Sequence, residues 1–354
     1  RMRKPIQVMT GGETMPLNKA ILAAYKVASQ IKPDATDFYQ TQRHIEDVMA
    51  KLSVPNPRCR IDSATATMPD GYQIPLRIFT PLNLSISLPG GFKSADTFRG
   101  TILFIHGGGW ANGTVDLYID TCTSMAIKLE RRVISIDYRR SPEYRFPQAA
   151  EDCYEVARQL FDGTLFPGTP TDSITIFGDS AGGNLAAVVS IMARDRHAFH
   201  PKNQILLYPV TYNDHNPETS PFNSVRENGE DYLLPWQDIE GYMGLYQSSE
   251  KDLSNPYLAP LLEPDLSDQP RTLLISAEYC PLRDEGETFA ARIELESGQA
   301  SCYRMLNAIH GYLLYPSVLT VVRDTLRICK HFLDGDPLDI NKGNPTWIKL
   351  LGTD

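Results

Sequence analysis

In "SITIFGDSAGGNLAAVV", residues 173 to 189, Ser180 stands between an apolar run and a run of small residues, with Gly178 before it and Gly182 and Gly183 after it. A hydroxyl presented on a sharp strand-to-helix turn can attack an acyl carbon, and small neighbours let the backbone make the turn and the acyl group approach. Neither G-x-x-x-x-G-K-[ST] nor G-x-G-x-x-G occurs at this turn, so it is not a phosphate cradle. Such an attack leaves negative charge on the acyl oxygen. In "FIHGGGWANG", residues 104 to 113, consecutive glycines follow another apolar run, and backbone N–H groups free of side chains can stabilise an oxyanion. Gly107, Gly108 and Gly109, joined by the Ala181 N–H, are the candidate donors. His106 reads as a packing or hydrogen-bonding residue of that loop.

The serine needs a base within reach. Of the seven histidines, His310 alone lies late in the chain at a strand-to-loop junction, between "SCYRMLNAI" and "GYLLYP". His44 sits on an amphipathic helix, His197 and His200 follow a helix end, His215 lies in a long irregular segment, and His331 is in the terminal helix. These five read as ordinary structural histidines. Serine first and histidine last leaves an acid to be found between them.

Short apolar runs positioned by helices carry these groups. From Thr101, "TILFI", a helix through Ile127, "RVISID", a helix from about Pro147, "SITIF", a helix after Ser180 and "QILLY" alternate. The alternation resumes with "TLLISA", a helix around residues 285 to 297, "SCYRML" and a last helix near residues 317 to 333. This pattern predicts a mostly parallel sheet covered by helices. Ahead of it, "CRIDSATAT" and "YQIPLRIFT" flank the turn dipeptide Asp70-Gly71 and read as antiparallel strands, followed by a loop over residues 81 to 100. Two amphipathic helices come first: Leu17, Ile21, Ala24, Tyr25, Ala28 and Ile31 recur at helical spacing, and Phe38, Ile45, Val48, Met49 and Leu52 do the same. The segment from Thr211 to about Leu262, rich in Pro, Asn and aromatics, is too long for a simple connection and reads as an insertion over the sheet. Its Tyr212, Phe222, Tyr232, Leu233, Trp236 and Tyr242 are candidates for lining a pocket or for the insertion's own small core.

With 354 residues and 42% apolar side chains, the chain can bury a large core. Its net charge of -9, spread along the sequence, argues against nucleic acid as a partner. No apolar stretch approaches the roughly 20 residues of a membrane-spanning helix. "RMRKPIQVMTGGETMPL" lacks the apolar core of a secretory signal, which makes cytoplasmic residence the expectation. The six cysteines, Cys59, Cys122, Cys153, Cys280, Cys302 and Cys329, show no C-x-x-C spacing, so neither a zinc site nor a disulfide framework is expected.

Taken together, "HGGGW", "YRRSPEYRFPQAAED" at residues 138 to 152, "GDSAGGN" and "PLRDEG" at residues 281 to 286 resemble the signature run of the hormone-sensitive-lipase-like esterases, a branch of the α/β-hydrolase fold. The resemblance covers roughly residues 70 to 333. It implies an α/β-hydrolase fold with a mostly parallel eight-stranded sheet flanked by helices and a helical lid. The implied division is an N-terminal helical part of the lid over 1–52, a catalytic domain over 53–210 and 251–337, a lid insertion over 211–250 and a C-terminal tail over 338–354. It further implies a serine carboxylic ester hydrolase acting on short- or medium-chain acyl esters through an acyl-enzyme, with no metal and no organic cofactor. A homodimer through an edge strand is compatible with such a sheet.

At one position the chain departs from the family. The pattern there reads D-P-L-R-D-E-G, and its first aspartate is the triad acid; here "SAEYCPLRDEG" puts Cys280 in that place. Loss of this acid cost a serine protease about 10⁴ in turnover, and a cysteine with a pKa near 8.5 is mostly a neutral thiol. Several readings stand. Asp214, Asp284 or Glu278 takes over; or Cys280 serves as a thiolate or an oxidised sulfinate; or the acid is lost and the hydrolase is slow, or turned to ligand binding, acyl transfer or cyclisation. "HGGGW" also resembles the motif of kynurenine formamidases, which would make the substrate an amide.

Overall fold

The computed structural model describes residues 38–53, 56–87, 91–96, 98–338 and 345–352. The first expected helix, over residues 17–31, lies outside them. Helix α1 (Phe38–Ala50) leads into strands β1 (Cys59–Thr67) and β2 (Gln73–Ser87), which pair antiparallel with Thr67 opposite Gln73 across the Asp70-Gly71 turn. Strand β2 runs past its expected end, and β3 (Gly91–Asp96) folds back on its far half with Leu82 opposite Asp96. Residues 82–87 and 91–96 are thus paired antiparallel strands rather than the expected loop. The strand signal is the alternation of Leu82, Leu84 and Ile86 with Asn83, Ser85 and Ser87.

The expected alternation then follows in order: β4 (Thr101–Ile105), α2 (Ile119–Leu129), β5 (Arg132–Ile136), α3 (Gln148–Phe161), β6 (Ile174–Asp179), α4 (Ala181–Asp195) and β7 (Asn203–Leu207). The insertion carries two short helices, α5 (Asn223–Asn228) and α6 (Trp236–Tyr246). After it come β8 (Arg271–Tyr279), α7 (Arg283–Ser297), β9 (Ala300–Ile309), α8 (Thr320–Asp334) and β10 (Trp347–Leu351).

The strands form one sheet in the order β1-β2-β5-β4-β6-β7-β8-β9-β10, parallel from β5 through β9. Helices cover both faces, so every residue of β4 and β6 is buried; such strands read as unbroken apolar runs. All eight strands legible in the sequence are present, and β3 and β10 are added. β10 pairs antiparallel with β9 and sets Trp347 edge-on to Tyr303, so part of the expected 338–354 tail is sheet. Its five residues are too few, and too broken by Lys349, for a periodicity argument.

The motif "YRRSPEYRFPQAAED" turns out to be scaffolding: the buried Arg139 guanidinium forks onto the buried Asp152 carboxylate of α3, with Nη2 2.6 Å from Oδ1. Helix α1 forms as expected but docks unexpectedly. Ile45, Val48 and Met49 remain 47%, 49% and 53% exposed, while Glu46 is buried. Among the described residues no helix is long and apolar enough to cross a membrane.

Candidate active site

At the C-terminal edge of the parallel strands the chain turns sharply from β6 into α4, and Ser180 sits on that turn at φ 54° and ψ −122°, a region non-glycine residues rarely adopt. The glycines around it are steric necessities. A Cβ on Gly178 would lie 2.0 Å from the Gly182 carbonyl oxygen, and one on Gly182 would lie 2.0 Å from the Ile105 oxygen at the end of β4. The elbow is therefore pressed against the neighbouring strand.

His310, just after β9, points Nε2 at Ser180 Oγ from 2.8 Å. Its Nδ1 faces Cys280 Sγ at 3.2 Å. The loop after β8 thus puts the fully buried Cys280 where a triad acid would sit. Burial pushes this thiol well above its ordinary range, so it is neutral at physiological pH. Burial also depresses the imidazole of His310 to about 3, and among the described residues no carboxylate pairs with it to hold the ring protonated.

The alternative acids lie elsewhere. Asp214 Oδ1 accepts from Asn216 N–H and Thr219 Oγ1, each at 3.0 Å, inside the insertion. Asp284, in the first turn of α7, accepts from Ser224 N–H and from Arg283 Nε, both at 2.8 Å. Glu278 Oε2 accepts the Asn307 N–H at 2.6 Å. Each carboxylate is committed to backbone or to another side chain, and among the described residues none bonds to His310.

The glycine turn after β4 faces the same point. Gly108 and Gly109 have φ of 117° and 57°, as a left-handed turn requires. Their N–H groups have no protein acceptor among the described residues, nor has that of Ala181, whose place in the first turn of α4 leaves its N–H without an intrahelical partner. Gly107 differs from expectation. Its N–H donates to Asp179 Oδ1 at 3.0 Å and is not available to an oxyanion.

That acceptor, Asp179, stands directly before Ser180 at the end of β6. Asp179 is buried, takes a further hydrogen bond from Tyr118 OH at 3.0 Å, and lies 3.5 Å from Tyr208 OH. Burial raises it to about 7 against these hydrogen bonds, which lower it. Tyr208 in turn packs edge-on against His310, with ring centroids 4.9 Å apart, and its hydroxyl accepts the Leu313 N–H. The Asp179 carboxyl thereby ties the glycine turn to the histidine loop. Period and motif cannot reveal such a link, because it joins four elements distant in sequence.

His106 behaves as expected: it is buried, stacks on Tyr138 at 4.4 Å and bonds through Nδ1 to Gly107 O. His215 is more than an ordinary structural histidine. Burial alone would lower it, but the carboxylates of Glu285 (2.8 Å from Nε2) and Glu240 outweigh that and raise it to about 9. Glu285 also accepts the N–H groups of Thr211 and Tyr212, pinning the insertion to α7.

A cavity of about 170 Å³ opens between Ser180, His310 and the glycine turn. Gln42 and Glu46 of α1 and Ile239 and Tyr242 of α6 close it from above. Of the six insertion side chains singled out in the sequence, Tyr242 is in its wall. Tyr212 packs edge-on with Phe222 at 5.3 Å, Tyr232 stacks on Tyr279 at 4.9 Å, and Leu233 is exposed.

Known proteins resemble this chain in sequence and fold. Residues 102–314 match a family described as alpha/beta hydrolase fold. An arylesterase of Saccharolobus solfataricus is 31% identical over 307 residues, 85% of this chain and 94% of that protein. The carboxylic ester hydrolase LipN of Mycobacterium tuberculosis is 34% identical over 291 residues, 78% of this chain and 70% of that one. The solved structure of a hyperthermophilic esterase from the archaeon Pyrobaculum calidifontis, 30% identical, matches with a TM-score of 0.76 over 91% of this chain and 99% of that chain. The chain belongs to the α/β-hydrolase fold family. Within it, the chain is a carboxylesterase-type hydrolase of the hormone-sensitive-lipase-like branch.

Proposed function

We propose that the chain hydrolyses short- to medium-chain acyl esters through an acyl-enzyme on Ser180, with His310 as general base and acid and Cys280 in the acid's seat. The observation that carries this reading is the 2.8 Å contact between Ser180 Oγ and His310 Nε2 on a strained, glycine-cleared elbow. Neutral Nε2 takes the serine proton as Oγ bonds to the acyl carbon. The carbonyl electron pair moves onto oxygen, where the N–H groups of Gly108, Gly109 and Ala181 receive it. The tetrahedral intermediate collapses, the imidazolium protonates the departing alkoxide, and water repeats the sequence to free the acid and restore Ser180. A cavity of about 170 Å³ suits a short acyl chain. Helix α1 and the insertion of residues 211–250 form the lid over the catalytic domain built on the parallel sheet. The neutral thiol at Cys280 favours a slow hydrolase over an efficient one.

An alkyl fluorophosphonate tests the assignment. One equivalent is expected to abolish p-nitrophenyl butyrate hydrolysis and to leave its mass on the peptide containing Ser180. Label on another peptide, or full turnover after labelling, would sink it.

The pH profile carries a second expectation. The base works as neutral imidazole, present above its pKa; with that pKa near 3 rather than 6.5, kcat/KM stays level from about pH 8 down to about pH 5. An acid limb centred near 6.5 that persists in Asp179→Asn would mean that the His310 ring is not desolvated as its burial implies.

A further inference from the structure

The turn carrying the candidate oxyanion donors is gripped from outside. Residues 111 to 113 pack on it backbone to backbone: Asn112 N–H donates to Gly108 O at 2.7 Å, and a Cβ on Gly108 would lie 2.2 Å from Asn112 O. A Cβ on Gly113 would lie 2.2 Å from Gly107 O. With contacts this close, the glycines cannot shift unless residues 111 to 113 shift with them.

The covering helices hold each of those outer residues. From α1, Arg43 Nε donates to Ala111 O and Glu46 Oε2 accepts the Gly113 N–H, both at 2.8 Å. From α6, Tyr242 OH meets the Asn112 amide at 2.7 Å. Glu46 is the notable member. Burying a carboxylate is costly unless it is hydrogen-bonded, yet α1 buries this glutamate while its own Ile45, Val48 and Met49 stay about half exposed. Gln42 Nε2 satisfies the other carboxylate oxygen at 3.1 Å. The helix is seated by this polar contact together with Phe38, whose ring packs edge-on against Tyr242 at 4.9 Å, while the rest of its apolar stripe stays half exposed.

We propose that Glu46 is a positioning residue for ester hydrolysis: from the covering helix its carboxylate fixes residues 107 to 113 so that the Gly108 and Gly109 N–H groups face the developing oxyanion. This rests on the serine-hydrolase reading. It makes the seating of α1 a condition for turnover as well as for substrate enclosure.

Glu46→Leu removes the acceptor, whereas Glu46→Gln keeps a carbonyl oxygen for the Gly113 N–H. Deleting one oxyanion donor costs roughly 10²–10³ in kcat; misplacing the loop in Glu46→Leu is expected to cost about 10–100-fold in kcat with KM moved less than about threefold. Glu46→Gln is expected to recover most of that loss. A trifluoromethyl ketone, whose adduct needs the same donors, is expected to weaken in parallel with kcat. If Glu46→Leu does not fold, as judged by circular dichroism, Glu46→Asp, one methylene too short to reach Gly113, takes its place. A kcat within twofold of the parent, a loss confined to KM, or equal losses in Gln and Leu would each overturn the proposal. Parent turnover that depends on Ser180 but ignores Glu46 would refute this inference alone; parent turnover independent of Ser180 would refute both.

Discussion

Replacing Cys280 by aspartate is expected to raise kcat on p-nitrophenyl butyrate by about 10²–10⁴-fold, approaching the loss seen when a serine protease gives up the same acid. The thiol sits 3.2 Å from His310 Nδ1, so in the proposed relay a carboxylate at this position needs no rearrangement of the loop to meet the ring. A carboxylate can only accept, which forces the proton onto Nδ1 and leaves Nε2 free for the serine. A thiol donates and accepts, both weakly, and so enforces neither tautomer. Nor does a neutral thiol stabilise the imidazolium formed as Ser180 attacks, and burial keeps Cys280 neutral. An added carboxylate also raises the pKa of the imidazole, so the acid limb of kcat/KM, absent above about pH 5 in the parent, is expected to move upward in Cys280→Asp. Gain and limb should therefore appear together. Opposing both is the cost of charging a fully buried position. An unchanged rate in a folded variant would mean that the Tyr208 ring, edge-on to His310, already orients the base.

The eight strands, the sharp turn at Ser180 and the place of His310 at the end of a strand could be read from the sequence because each follows from a local rule. Fully buried parallel strands read as apolar runs, a sharp turn demands small neighbours, and a histidine at a strand end stands apart from those on helices. The seat of Cys280 came from its flanks, "SAEY" and "PLRDEG", not from periodicity. What escaped depends on contacts between distant segments. Gly107, Gly108 and Gly109 are equivalent as letters, and it is the Asp179 carboxyl at 3.0 Å and the Tyr118 hydroxyl at 3.2 Å that occupy the Gly107 N–H. The apolar stripe of α1 predicted a buried aliphatic face, whereas its seat was decided by Glu46 and Arg43 reaching the glycine loop. Likewise the ion pair of His215 depends on Glu285, 70 residues on in sequence and 2.8 Å away in the fold.

The consequence of removing Ser180 depends on what occupies position 280. Triad members act as a unit: in subtilisin, loss of serine alone costs about 2 × 10⁶ in kcat and loss of the aspartate alone about 3 × 10⁴. A chain that already lacks the carboxylate has forfeited most of that advantage. Ser180→Ala in the parent is therefore expected to lower kcat by only about 10²-fold, the ratio of those two losses, while Ser180→Ala in the Cys280→Asp background costs about 10⁶-fold. The two doubly and singly substituted proteins should converge on one residual rate, supplied by the Gly108, Gly109 and Ala181 N–H groups and by binding alone. Initial rates on p-nitrophenyl butyrate for all four proteins close this cycle. Equal Ser180→Ala losses in both backgrounds would mean that position 280 acts independently of the serine and its base, and the relay from Ser180 through His310 to residue 280 would have to be abandoned.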